Sequence, residues 1–537
     1  MSPWRRVPLC AFVFVAALSA TFASPASAQF YDDARHLLGL SPDPIARSPR
    51  LLGYGLLNWV GDDPHNRITL WDFAQNPTGL SVDDTTSTVE FRPATASASS
   101  VRDELGGERQ DLAARETRLG YELWRRDEGS AYGIAGNVGQ LRYDRPFAET
   151  VEERSRLVQP TVMPVLAGKL PYTESGRWLY AARLFYSGET SDDQYRLFTL
   201  NGANQFLDED GTTVNPPNTF TPTHYRVRTM GGGAGVAWRA PIVTASIVAD
   251  AIGDNIEGSN DDALHHGGSS ETRPYEIGQA TLLGRIGRHF EWGADGRGWS
   301  SKSEQRWVYT VSAGIGLDPL EGRGKLLERE EKGTTLHTRA LWTWGAFEVG
   351  GGVNTAYRRL DITPPAAGDR TAFNYFLHTV SNRAGADTLL LPDSVSANRI
   401  EDRSVDGGVG AQWRFASGRG RVGAEYHVLR EVLDQALSGH GPKMTGWDVR
   451  TGAEYQITPV LAGRAGYRYR WYDQDALTAQ NEHLGHTLTL GLGIQPTVAR
   501  WALDAGYAIE WLQADFGDPA NSRGSDQQLA VQIHWGF

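Results

Sequence analysis

The chain has 537 residues, a formal net charge of −12 and a mean hydropathy of −0.41. That acidic balance excludes an electrostatic surface for nucleic acid, and a single cysteine, Cys10, excludes a disulfide scaffold. Beyond the N-terminus no stretch approaches the roughly 20 apolar residues of a spanning helix, which excludes an inner-membrane helical protein and leaves a soluble periplasmic protein or an outer-membrane barrel.

Residues 1–28 have the layout of an export signal. Arg5 and Arg6 precede an apolar run from Val7 to Leu18, and small residues end in Ala26-Ser27-Ala28. Cleavage is expected after Ala28, and loss of the two arginines takes the formal charge from −12 to −14. Cys10 lacks a small residue before it, so no lipid anchor is expected.

Residues 29–85 do not alternate. They hold a short helical pattern at Asp32–Leu38, then Leu52-Gly53, the pair Asp62-Asp63, and Asn76-Pro77-Thr78-Gly79-Leu80 just before the first strand pattern. This order resembles the N-terminal hatch of the FadL-like outer-membrane transporters, which carry long-chain fatty acids and other hydrophobic compounds. Thr78 departs from the alanine usual in that family, and the spacing from Asp63 to Asn76 is longer. The resemblance implies a hatch that closes the periplasmic side, with Asn76, Pro77, Gly79 and Leu80 helping to fix it. It also implies apolar ligands leaving through the barrel wall.

Residues 86–537 alternate with period two, the signature of strands with two different faces. Phe347–Tyr357, Thr117–Leu123 and Trp178–Tyr186 already show it. In Trp447–Ile457 the apolar residues oppose Asp448, Arg450 and Glu454, and in Leu461–Trp471 they oppose Arg464, Arg468 and Arg470. The stretch Trp501–Trp511 has aromatics at both ends of its apolar stripe and Asp504 and Glu510 on the other face. The last strand ends Trp535-Gly536-Phe537, which resembles the C-terminal signal read by the barrel-assembly machinery. Alternating runs of about ten residues or more fit tilted strands crossing a bilayer.

The expected fold is therefore all-β, a transmembrane antiparallel barrel of about 18 strands, within a range of 14 to 20. Short turns at Asp127–Gly129, Ala240-Pro241, Gly345, Ser417-Gly418, Thr458-Pro459 and Pro496-Thr497 should face the periplasm. Longer connections near 199–222, 362–399 and 515–525 should face outward. Gly296–Arg306 and Leu326–Lys332 read as turns on either side, which leaves the strand parity open there.

Arg464, Arg468, Arg470, Asp448, Arg450, Glu454, Asp504 and Glu510 are expected to line the lumen, either as an anion-selective strip or as an internal salt-bridge lattice. Inward glycines such as Gly408, Gly410, Gly423, Gly452, Gly466, Gly485, Gly491 and Gly493 either leave space for a plug or ligand or ease strand bending. No Gly-x-Ser-x-Gly or His-Glu-x-x-His string is present, so no catalytic residue, metal or cofactor is assigned. The expected function is an outer-membrane channel or transporter for small hydrophobic molecules, surrounded by outer-membrane lipid. A structural or adaptor barrel binding envelope proteins is the alternative, with an outer-membrane hydrolase behind it.

Overall fold

The computed structural model describes Arg50, Leu52, 54–57 and Val60 of the N-terminal segment and residues 87–536, apart from 104–108, 128–129, 149–150, 170–176, 198, 201–205, 208–220, 262–264, 312–319, 364–397, 436–442, 477–478, 497–499 and 516–520. The hatch residues Asn76, Pro77, Gly79 and Leu80, the expected cleavage site and Phe537 lie outside the described residues.

The strands in chain order begin with β1 (Thr88–Asp103), β2 (Arg109–Asp127), β3 (Ser130–Ala148), β4 (Val151–Lys169) and β5 (Arg177–Leu197). A two-residue ribbon, β6 (Thr199–Leu200) and β7 (Phe206–Leu207), stands apart from the main sheet. Then come β8 (Thr221–Arg239), β9 (Val243–Asp261), β10 (His265–Ile286), β11 (Phe290–Val311), β12 (Leu320–Trp344) and β13 (Phe347–Thr363). The series ends with β14 (Asn398–Phe415), β15 (Gly420–Gln435), β16 (Lys443–Thr458), β17 (Leu461–Ala476), β18 (Ala479–Ile494), β19 (Trp501–Asp515) and β20 (Asn521–Gly536).

Each barrel strand pairs antiparallel with its chain neighbours, and β1 pairs with both β2 and β20. The sheet of 18 strands is thus a closed barrel, which leaves no edge in the membrane. Gly296–Arg306 lies inside β11 and Leu326–Lys332 inside β12, so neither is a turn. Their mixed charges alternate between the two faces of long strands, and this resolves the parity to an even number. The last long connection is shorter than expected, because β20 already begins at Asn521.

Alternation turns the molecule inside out relative to a soluble protein. Val409, 63% exposed, and Leu490, Val349 and Ile533 stand on the outside, whereas Glu425, Asp448, Arg468 and Arg470 are buried inside. Rings collect in two outer bands. Phe347, Trp413, Phe415 and Tyr455 follow one another at centroid separations of 6.2, 5.5 and 6.4 Å near the short turns. Tyr426, Trp447 and Tyr469 do so at 6.4 and 5.5 Å higher up. On β16 the bands are represented by Tyr455 and Trp447. Eight residues of strand span about 27 Å, or roughly 20 Å of membrane height at the usual tilt.

Candidate functional site

Six strands in succession build one side of the lumen in ordered rows. Glu425, Arg450, Arg468, Thr487, Glu510 and Asp526 are paired in register from β15 to β20. The next row toward the short turns is small, Gly423, Gly452, Gly466, Thr489 and Ala508. Below that stand Arg421, Glu454 and Arg464.

The described residues of the N-terminal segment lie on the small row. A β-carbon at Gly452 would overlap the Tyr54 carbonyl, one at Gly466 would overlap Gly55, and one at Gly423 would come 2.9 Å from Leu57 Cδ1. Gly55 itself has φ +76°, and a β-carbon there would strike the Thr451 carbonyl. Only glycine meets both demands. Leu56 follows with φ 60°, a left-handed conformation that costs a branched residue about 1 kcal/mol.

Backbone groups of this segment are satisfied by the wall. Gly55 N–H donates to Thr489 Oγ1 at 3.0 Å, Val60 N–H to Glu425 Oε1 at 2.7 Å, and Arg450 Nη1 donates to the Leu56 carbonyl at 2.8 Å. Leu52, Tyr54 and Leu57 are fully buried, with Leu52 against Ala508 and Ala530. Burial raises the Tyr54 hydroxyl to about 12, so it stays protonated and donates to Gln412 Oε1 at 3.4 Å. Arg421 lies over its ring, 4.5 Å from the centroid.

The lumen-lining charges expected from alternation are together on this wall. Glu454 receives Arg50 at 3.0 Å, Arg421 at 3.0 Å and Arg464 at 2.5 Å. Arg464 also reaches Asp504 at 2.6 Å. Asp448 takes Arg450 and Arg468, each at 2.8 Å, and Glu510 takes Arg470 at 2.8 Å. Each of the three β17 arginines therefore has a carboxylate partner, and Arg468 and Arg470 are each 1% exposed. Gly485 and Gly493 are explained by the same packing, since their missing β-carbons would come 2.6 Å from Arg470 Nε and Arg464 Nη2.

The opposite wall differs. In the ring order β4, β5 and β8 stand diametrically across from β15, β16 and β17. Inward side chains of these strands and of β3 form an apolar cluster that includes Ala135, Met163, Val165, Leu179 and Ala181, with Phe185 packed against it. On the same inward face of β5, between Ala181 and Phe185, Arg183 is held by Asp250 of β9 at 2.8 and 2.5 Å. Sequence reasoning did not single the cluster out, because Ala, Met and Val on the inward face blur the apolar-polar contrast that alternation depends on.

The β4–β5 seam beside this cluster is also irregular. Its pairing is interrupted at 159–160 and again at 163–164 with the register unchanged, while β3–β4 runs through both. Pro160 and Pro164 lack the N–H that would bond to β5. Pro93 and Pro274 interrupt β1–β20 and β10–β11 in the same way. Those two seams have charged inner neighbours, Arg92 with Glu90 and Arg273 with Glu271, as the β4–β5 seam has in Arg183, paired with Val165 and bound to Asp250.

Fold and interior together define a class: a transmembrane β-barrel of the outer-membrane type whose lumen holds a segment of its own chain. No family model and no curated protein matches the chain. Among solved structures it is similar to the ferric yersiniabactin uptake receptor FyuA of Yersinia pestis, at 10% identity and TM-score 0.42, covering 84% of this chain and 80% of that one. It is similar to the toluene transporter TodX of Pseudomonas putida, at 9% identity and TM-score 0.37, covering 92% and 98%. The Ralstonia pickettii toluene transporter TbuX matches at 10% and 0.36, covering 91% and 98%. At these scores the likeness carries no functional assignment.

Proposed function

We propose that this barrel is an outer-membrane transporter for small hydrophobic molecules, with the N-terminal segment as its plug. The observation that carries this reading is the apolar lumen wall beside the proline-interrupted β4–β5 seam. An apolar solute entering the lumen meets charged rows on β15–β19 and, on β3–β8, the apolar cluster, beside which Arg183 is neutralised by Asp250, and it partitions to the second. There the ladder is interrupted at two levels, and the ring of Pro164 faces outward. Sideways release into the bilayer is the route this arrangement favours, and Asn76 and Pro77 are proposed to hold the plug that closes the straight path.

Uptake of a neutral aromatic hydrocarbon into liposomes carrying the full chain tests the reading. Uptake above protein-free liposomes, abolished when Asn76 and Pro77 are both replaced by alanine, supports it. A barrel that passes no hydrocarbon overturns it in favour of a structural or adaptor role.

A further inference from the structure

The outer face of β8–β13 carries a groove that barrel architecture does not require. Its floor is Gly232, Ala251, Gly278, Gly298 and Thr334, which face outward on adjoining strands, and its volume is about 800 Å³. A second groove of about 540 Å³ continues it up β10 and β11 between Ser270, Thr272, Lys302 and Arg306, with Glu304 and Glu328 also on its lining. The two meet where Glu276 pairs with Ser300 and where Pro274 interrupts the β10–β11 ladder. The lower part has a largely apolar floor at membrane height, with Glu276, Ser300 and Lys332 on its upper rim. The upper part is hydroxylated and charged.

Gly232 is crowded, with a β-carbon there 3.0 Å from the Arg183 carbonyl, but Gly278 and Gly298 are not forced by packing. A β-carbon at Gly278 meets nothing within 4 Å, and one at Gly298 meets only ordinary contacts at 3.8 and 3.9 Å. Neither has a left-handed φ. Glycine weakens a strand interior, and lipid-facing positions otherwise carry large apolar side chains, as at Leu282 and Leu336 one or two rows below. What glycine supplies at 278 and 298 is empty space on the outer surface. Above that space Lys302 is exposed and forms no hydrogen bond or ion pair with another described residue, while its neighbours Glu328 and Glu330 are held by Lys325 and Lys332.

We propose that this groove binds one phosphorylated lipid of the outward leaflet, with an acyl chain on the Gly278–Gly298 floor and a phosphate against Lys302. An acyl chain fits a narrow apolar slot that opens sideways to the membrane. The lysine just above supplies a charge-assisted hydrogen bond at the level of a headgroup. Ser270 and Thr272 line the remaining headgroup space.

The test uses the full chain purified in a neutral detergent and exposed to purified lipopolysaccharide, to its dephosphorylated form, or to phosphatidylcholine, with bound lipid counted by native mass spectrometry. Preferential retention of the phosphorylated glycolipid is expected. Lys302→Glu and Gly298→Leu are each expected to lower that retention by about tenfold, the scale of one lost charge-assisted contact. Both variants should keep the heat-resistant folded form, because neither side chain is needed by the wall. Three results overturn the proposal: equal retention in either folded variant, equal retention of the dephosphorylated glycolipid, or cross-linking of Gly298→Cys to a second copy of this chain. Gly278→Leu replaces Gly298→Leu if the latter does not fold.

Discussion

Arg50 and Glu454 are 404 residues apart in the chain and 3.0 Å apart in the barrel. Glu454 holds Arg421 and Arg464 as well, so one carboxylate ties the N-terminal segment to β15, β16 and β17. Replacing Glu454 by Gln leaves three largely buried guanidinium groups without their shared anion. Loss of about 3 kcal/mol is expected, read as a lower urea midpoint, together with faster proteolysis near Arg50. Arg50→Met should speed that proteolysis while leaving the barrel midpoint nearly unchanged.

Gly452 tests the seat directly. In Gly452→Val the new methyl groups occupy the site of the Tyr54 carbonyl, so the segment has to leave. The strand itself tolerates valine within about 1 kcal/mol. The expected outcome is a barrel that remains heat-resistant on gels but gains ion conductance in planar bilayers.

The β4–β5 seam is open to a reversible staple. Val162 and Tyr186 are paired in register, so cysteines placed at both positions fall within disulfide reach. Oxidation should abolish hydrocarbon uptake, and a reductant should restore it. A matching pair at Val236 and Ile247, which are paired across β8 and β9 and exposed, should leave uptake unchanged.

Val409 reports on the outer surface. It is among the most exposed apolar residues, and in water an arginine there would be harmless. In lipid, Val409→Arg is expected to cost about 2–4 kcal/mol if it lies near the midplane, measured by urea unfolding in bilayers. An arginine at the inward-facing Asn354, beside Asp406, should cost much less.

Period-two alternation made the fold legible from residues alone, because a strand's two faces are determined by its own local geometry. Trp447 outward and Asp448 inward follow from adjacency in the chain, and the alternating runs counted around the barrel led to eighteen strands. The inward orientation of Arg464, Arg468 and Arg470 was legible for the same reason. Their neutralisation was not, since the carboxylates lie on other strands and pair only once register is set.

The purpose of each glycine was likewise invisible in the sequence. Gly452 seats a backbone, Gly485 makes room for a guanidinium and Gly278 borders open space, yet all three read alike as small residues in a strand. Closure of the sheet decided the rest. By joining β1 to β20 it set the apolar cluster of Met163 and Val165 across the lumen from the charged rows of β15–β17, and it enclosed Tyr54 and Gly55 between them. Such contacts depend on which strands stand opposite in a ring, and no local period encodes that.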